Sequence, residues 1–68
     1  MASEITLVLP DTFTLHQAET ALRSKLARMA MELSEGHHGN AASLLGIHRN
    51  TLTRLLQLNV EEELLHGH

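Results

Sequence analysis

The sequence predicts an all-α domain: one long amphipathic helix, then two short helices joined at a glycine turn. Three observations carry this. Apolar residues recur at three- and four-residue steps from Leu15 to Leu33, the period of one helix face. The small, apolar run Ala41-Ala42-Ser43-Leu44-Leu45 stops at Gly46, a residue that accepts the left-handed turn conformation. Then Arg49-Asn50-Thr51-Leu52-Thr53-Arg54 surrounds one leucine with polar groups, so one side is suited to a core and the rest to solvent or a ligand.

Size narrows the possibilities. The chain has 68 residues and no cysteine, so one small domain is expected, without disulfides and close to the limit of independent stability. With one Phe and no Trp or Tyr, the core must be aliphatic. Oligomerisation is the remaining source of stability. No stretch resembles a signal peptide or a membrane span, which makes the cytoplasm the expected location, with no membrane partner expected.

The elements follow in order. Residues 1–13 form an arm in which Ile5, Leu7 and Leu9 alternate with Thr6 and Val8. This period of two reads as a short strand paired with its copy in a second chain, or as an extended arm on the surface. Residues 14–35 form the long helix. Thr14 and Gln17 have the spacing of a capping box, and Gly36 is placed to close the helix. Leu15, Ala18, Leu22, Leu26, Met29 and Leu33 make its apolar stripe, with Ala21, Ala30 and Met31 widening it. That stripe is too wide for one short neighbour, so part of it should face a second subunit. Residues 37–58 hold the two short helices. Ala41, Ala42, Leu44 and Leu45 are the expected buried face of the first, and Leu52, Leu55 and Leu56 of the second. Residues 59–68 read as a short helix or tail, with Asn59 and Glu62 spaced as another cap.

Net charge is -3, which at first sight argues against nucleic acid. Its distribution argues the other way. Residues 36–59 carry Arg49 and Arg54 and no acid, whereas residues 61–63 are three glutamates. The positive charge sits on the polar helix but is thin, so one copy should bind a phosphate backbone weakly.

Residues 36–58 resemble the DNA-binding end of the Fis family, which includes the C-terminal domains of NtrC-type regulators. The resemblance rests on Gly36, Ala41, Ala42, Leu45, Gly46, Ile47, Arg49, Thr51, Leu52, Arg54 and Leu56, with Asn50-Thr51-Leu52-Thr53-Arg54 especially close to the NtrC version. It implies an all-α, Fis-like helix-turn-helix fold with a long dimerisation helix. It also implies a homodimer on double-stranded DNA, in transcription regulation or DNA architecture. Where such a domain is one part of a larger regulator, that regulator's other domains are further partners. Family contacts fall here on His37, Gly39, His48, Arg49, Thr51, Thr53 and Arg54, with Asn50 a further candidate to read adenine. Arg49 is the expected base reader and Arg54 a phosphate contact. Leu15, Ala18, Leu22, Leu26, Met29 and Leu33, with Ile5, Leu7 and Leu9, are the expected dimer interface.

The chain departs from the family pattern in several places. His37 stands where Asn is usual, Gly39 where Thr or Ser is usual, and Leu55 where Lys is usual, and Leu58-Asn59 breaks the usual end of the helix. The thin charge, Leu55 and the acidic tail favour an alternative: a dimerisation or adaptor module with a degenerate helix-turn-helix and little DNA affinity. Protonating His37 and His48 in mild acid would add charge at the DNA face.

Other function classes find no support. There is no cysteine nucleophile, no glycine-rich phosphate loop and no Ser-His-carboxylate framing. An enzyme is therefore not expected. The six histidines include His37-His38 and His66-x-His68, but structural zinc takes four converging ligands, often with cysteine. Neither a metal nor another cofactor is expected.

Overall fold

The computed structural model describes residues 2–58. They form three helices, α1 (Leu15–Leu33), α2 (His38–Leu45) and α3 (Arg49–Leu56), each packed against the other two. The expected all-α class and the three helices are present. The second cap at Asn59 and the turns over 60–65 lie outside the described residues.

Helix α1 begins as its sequence dictates. The Gln17 amide donates to Thr14 Oγ1 at 3.1 Å, and the Thr14 amide donates to Gln17 Oε1 at 2.8 Å. Two of the otherwise unpaired amides at the helix start are thereby satisfied.

The other end differs from expectation. Ser34 is the C-cap, and Glu35 takes the left-handed position with φ 53°. The Glu35 amide donates to the Glu32 carbonyl and the Gly36 amide to the Met31 carbonyl, the paired bonds of a Schellman ending. Gly36 comes one residue later, at φ 84°. Two consecutive left-handed residues swing the chain from α1 into α2, and glycine takes the second of them.

The core is built from small residues. Ala27, Ala30, Ala41, Ala42 and Leu52 form the buried cluster, with Met31, Leu45, Ile47, Leu55 and Leu56 packed around it. Alanine on α1 and α2 lets the helix backbones approach closely, and Leu52 is the one large side chain that is fully enclosed. This corrects the reading of α1. Its inward face is Ala21, Ser24, Ala27 and Ala30, not the leucine stripe. Nine residues separate Ser24 from both Leu15 and Leu33, roughly two and a half turns, so those leucines stand on the opposite side. Leu15 is 74% exposed and Leu33 59%, while Ala18, Leu22, Leu26 and Met29 are half-buried.

Leu44 is a second correction: it is 57% exposed. Leu45 lies four residues from Ala41 and shares its face. Leu44 stands roughly 110° from the midline of Ala41 and Ala42, too far round a two-turn helix to reach the core.

At the N-terminus the structure has the second of the two expected forms, the extended arm. No strand occurs among the described residues. Residues 2–10 are an extended arm in which Ile5, Leu7 and Leu9 are half-buried and Thr6 and Val8 exposed. The alternation of two is present in the burial of the arm, and its start meets α1: Glu4, Ile5 and Thr6 line a cleft with Lys25 and Met29.

Candidate nucleic-acid interface

Helix α3 is set by its two neighbours. Gly46 ends α2 at φ 69°, where its amide donates to the Ser43 carbonyl and the Ile47 amide to the Ala42 carbonyl. Ile47 is thereby carried back against the core cluster. His48 then caps α3: its Nδ1 accepts from the Asn50 amide at 3.0 Å. Residues 49–56 hold one fully buried side chain, Leu52, flanked by half-buried Leu55 and Leu56.

Everything else on α3 faces outward. His48, Arg49, Asn50, Thr51, Thr53 and Arg54 are all exposed. Asn50 and Arg54, two positions either side of Leu52, stand roughly 160° around the helix from it. They form the centre of the outer face, with Thr51 and Thr53 on its two flanks and Arg49 at the leading end. Asn50, a further candidate from the sequence, is more directly outward in the helix than Arg49, which stands roughly 60° from Leu52.

Thr53 has a narrower chemistry than its type suggests. Its hydroxyl donates to the Arg49 carbonyl at 3.1 Å. Its single donor proton is therefore engaged, which leaves the methyl and the oxygen lone pairs for a ligand. Thr51 looks partly sideways, into an apolar groove shared with Arg23, Leu26, Leu45, Ile47 and Leu55. Leu55, standing where a lysine is usual, belongs to that groove rather than to the outer face.

The start of α2 is a second part of the surface. His37 is its N-cap, without a side-chain cap bond, and His37, Gly39 and Asn40 are exposed. A Cβ on Gly39 would meet nothing within 4 Å, so the absent hydroxyl is a matter of residue type and not of room.

No carboxylate occurs between residues 36 and 58, and both cations of that stretch, Arg49 and Arg54, are exposed on α3. The described acids are Glu4 on the arm, Asp11 between arm and helix, Glu19 and Glu32 on α1, and Glu35 in the turn from α1 to α2.

Sequence reasoning missed Ser24 and Arg28. Ser24 is 5% exposed. Its hydroxyl donates to the Leu58 carbonyl at 3.1 Å, and Arg28 donates to Ser24 Oγ at 2.9 Å and to the Leu58 carbonyl at 2.8 Å. A serine four residues before an arginine on the inward side of α1 was the available signal.

Among the described residues no three His or carboxylate side chains come together as metal ligands. No helix among them is long and apolar enough to cross a membrane. Residues 25–57 match the family model described as "Bacterial regulatory protein, Fis family", covering the second half of α1, all of α2 and all of α3. No match was found among curated proteins or among solved structures.

Proposed function

Because residues 25–57 form a Fis-type helix-turn-helix domain, of a DNA-binding regulatory class, we propose that the protein binds double-stranded DNA with sequence preference as a homodimer. Its role is transcription regulation or DNA architecture at the nucleoid. One observation carries the reading: α3 encloses Leu52 completely and leaves Arg49, Asn50, Thr51, Thr53 and Arg54, with His48 at its cap, exposed on a helix that itself holds no carboxylate. A two-turn helix with this division fits the major groove, which is wide enough for one helix.

The roles follow from position. Arg49, in the first turn, is placed for guanine, which an arginine pairs with two hydrogen bonds. Asn50, on the same outer face, suits adenine. Arg54 and the start of α2, with His37 and Gly39, fall along the phosphates. Thr53 offers its methyl to thymine. The leucine stripe of α1, opposite the alanine face, supports self-association through Leu15, Ala18, Leu22, Leu26, Met29 and Leu33, with Ile5, Leu7 and Leu9 of the arm beside it. Paired domains would present two recognition helices on one side of the duplex.

A second reading has a specific observation in its favour. Leu55 turns into the apolar groove where the family pattern has a cation, and only two cations lie on α3. A dimerisation or adaptor module with little DNA affinity would look like this.

One titration separates the two. The full chain is mixed with a random-sequence duplex at low salt and again at about 200 mM salt. Binding that is detectable and falls steeply with salt supports the DNA reading. No binding at tens of micromolar in low salt supports the adaptor. Arg49→Ala should weaken binding by about 1–3 kcal/mol while the helices stay intact; unchanged affinity would mean that α3 does not dock by this end. Solution mass tests the dimer separately: a monomer at high concentration would leave the leucine stripe without a partner.

A further inference from the structure

We infer that Ser24 and Arg28 are positioning residues for the recognition helix: they fasten its C-terminal end to α1 and so set the angle at which its outer face meets DNA. The inference rests on the DNA-binding reading above for its main readout.

Helix α3 has eight residues, too few to be stable or oriented by its own hydrogen bonds. Its one fully enclosed side chain is Leu52, near the middle. Half-buried Leu55 and Leu56 pack beside it, and Ile47, just before α3, packs on the same cluster. Such apolar contacts hold the helix down but are non-directional, so directed bonds are what refine its tilt. At the start, the His48 cap ties α3 to its own first turn, a bond that does not reach another helix.

The far end is fastened. Arg28 donates to the Leu58 carbonyl at 2.8 Å and, more distantly, to that of Leu56 at 3.5 Å. Its other terminal nitrogen donates to Ser24 Oγ at 2.9 Å, and that hydroxyl donates onward to the Leu58 carbonyl at 3.1 Å. The serine thus accepts one bond and gives one, while nearly buried. Carbonyls at and just beyond a helix end lack helical partners, and a cation there also meets the negative end of the helix dipole. The bonds are charge-assisted, which makes them stronger than neutral ones. They join α1 to α3 across about thirty residues of chain, and α1 is also the helix whose other side carries the leucine stripe. Whatever holds α1 in place therefore holds the reading helix in place. Arg28 acts at the end of α3 remote from Arg49, about 12 Å along a helix of this length, so its effect on DNA would pass through α3 rather than by direct contact.

The test is the full chain with Arg28→Met, which keeps the stem and removes the donors, beside Arg28→Lys, which keeps the charge. Affinity for a random-sequence duplex is measured across a salt series, at a temperature where circular dichroism shows every protein fully folded. Arg28→Met should bind about five- to tenfold more weakly, with the slope of log affinity against log salt unchanged. Arg28→Lys should recover at least half of the loss on a logarithmic scale. Unchanged affinity in folded Arg28→Met would overturn the inference. So would a salt slope smaller by about one, since that marks a lost phosphate contact. Should Arg28→Met not fold, Ser24→Ala carries the same prediction at about two- to threefold. Should the wild-type chain bind no duplex, the proposed function falls, and the clamp is decided by residual dipolar couplings. Arg28→Met should then change the orientation of α3 relative to α1 and leave α1 and α2 as they were. Identical couplings would refute it.

Discussion

Leu52→Ala should cost this protein about 3 kcal/mol, a large share of its stability. Leu52 is 0% exposed and is the one large side chain enclosed by the core. Truncating a buried leucine to alanine costs about 2–5 kcal/mol, the higher values arising where the cavity cannot collapse. Here Ala27, Ala30, Ala41 and Ala42 line the site, and alanines have no side-chain rotation with which to fill a gap. Met31, Leu45 and Ile47 stand at the edge and can lean in, which keeps the loss below the top of the range. A domain of this length has a total stability of about 3–10 kcal/mol, so the variant should be largely unfolded in mild denaturant. The assay is urea unfolding followed by circular dichroism at one fixed protein concentration, because self-association would add to apparent stability. Leu44→Ala is the control: with Leu44 57% exposed, its change should stay within about 0.5 kcal/mol. A Leu52→Ala loss below about 1 kcal/mol, or losses of equal size at positions 44 and 52, would refute the alanine-walled core.

Two glycines should respond in opposite directions. Gly46→Ala should destabilise by about 1 kcal/mol, because φ 69° is left-handed and costly for any side chain even in open space. Gly39→Ala, inside α2 and also in open space, should stabilise by about 0.5–1 kcal/mol. Thermal unfolding reads both, and shifts of the same sign would contradict the backbone assignment. His48→Ala should lose about 0.5–2 kcal/mol by uncapping α3, whereas His48→Asn, a good cap residue, should lose little. Equal melting temperatures for the two variants would show that the Nδ1 bond contributes nothing.

Much of this architecture was legible in the sequence, and the failures share a cause. Thr14 and Gln17 announced the start of α1, Gly46 the turn, and Leu52 the inward side of α3, because each rests on contacts within a few residues. The faces of α1 and α2 were misread because apolar counting weights large side chains. Leu15, Leu33 and Leu44 outweigh Ala21, Ala27 and Ala30 in any such pattern, yet α1 and α2 pack by close backbone approach, for which alanine is the suitable residue. Glu35 in a left-handed conformation could not be foreseen with Gly36 next to it. The outer residues of α3 were readable as a group from their type and spacing. Which of them look straight outward, and that Thr53 turns its hydroxyl back to Arg49, depends on the helix being formed. The Ser24–Arg28–Leu58 bonds link residues far apart in the chain, and no local pattern reports them.

Leu52, with Leu55 and Leu56 half-buried beside it, carries the burial of α3, and this separates two kinds of change. Substitutions at exposed positions away from buried groups usually shift stability by no more than about 0.5 kcal/mol. Asn50 and Arg54, whose side chains project away from the interior, fall in that class. Their identities can be exchanged without repacking anything beneath them, so the preference for one base sequence over another is free to drift, or to be redesigned, on an interior that stays the same.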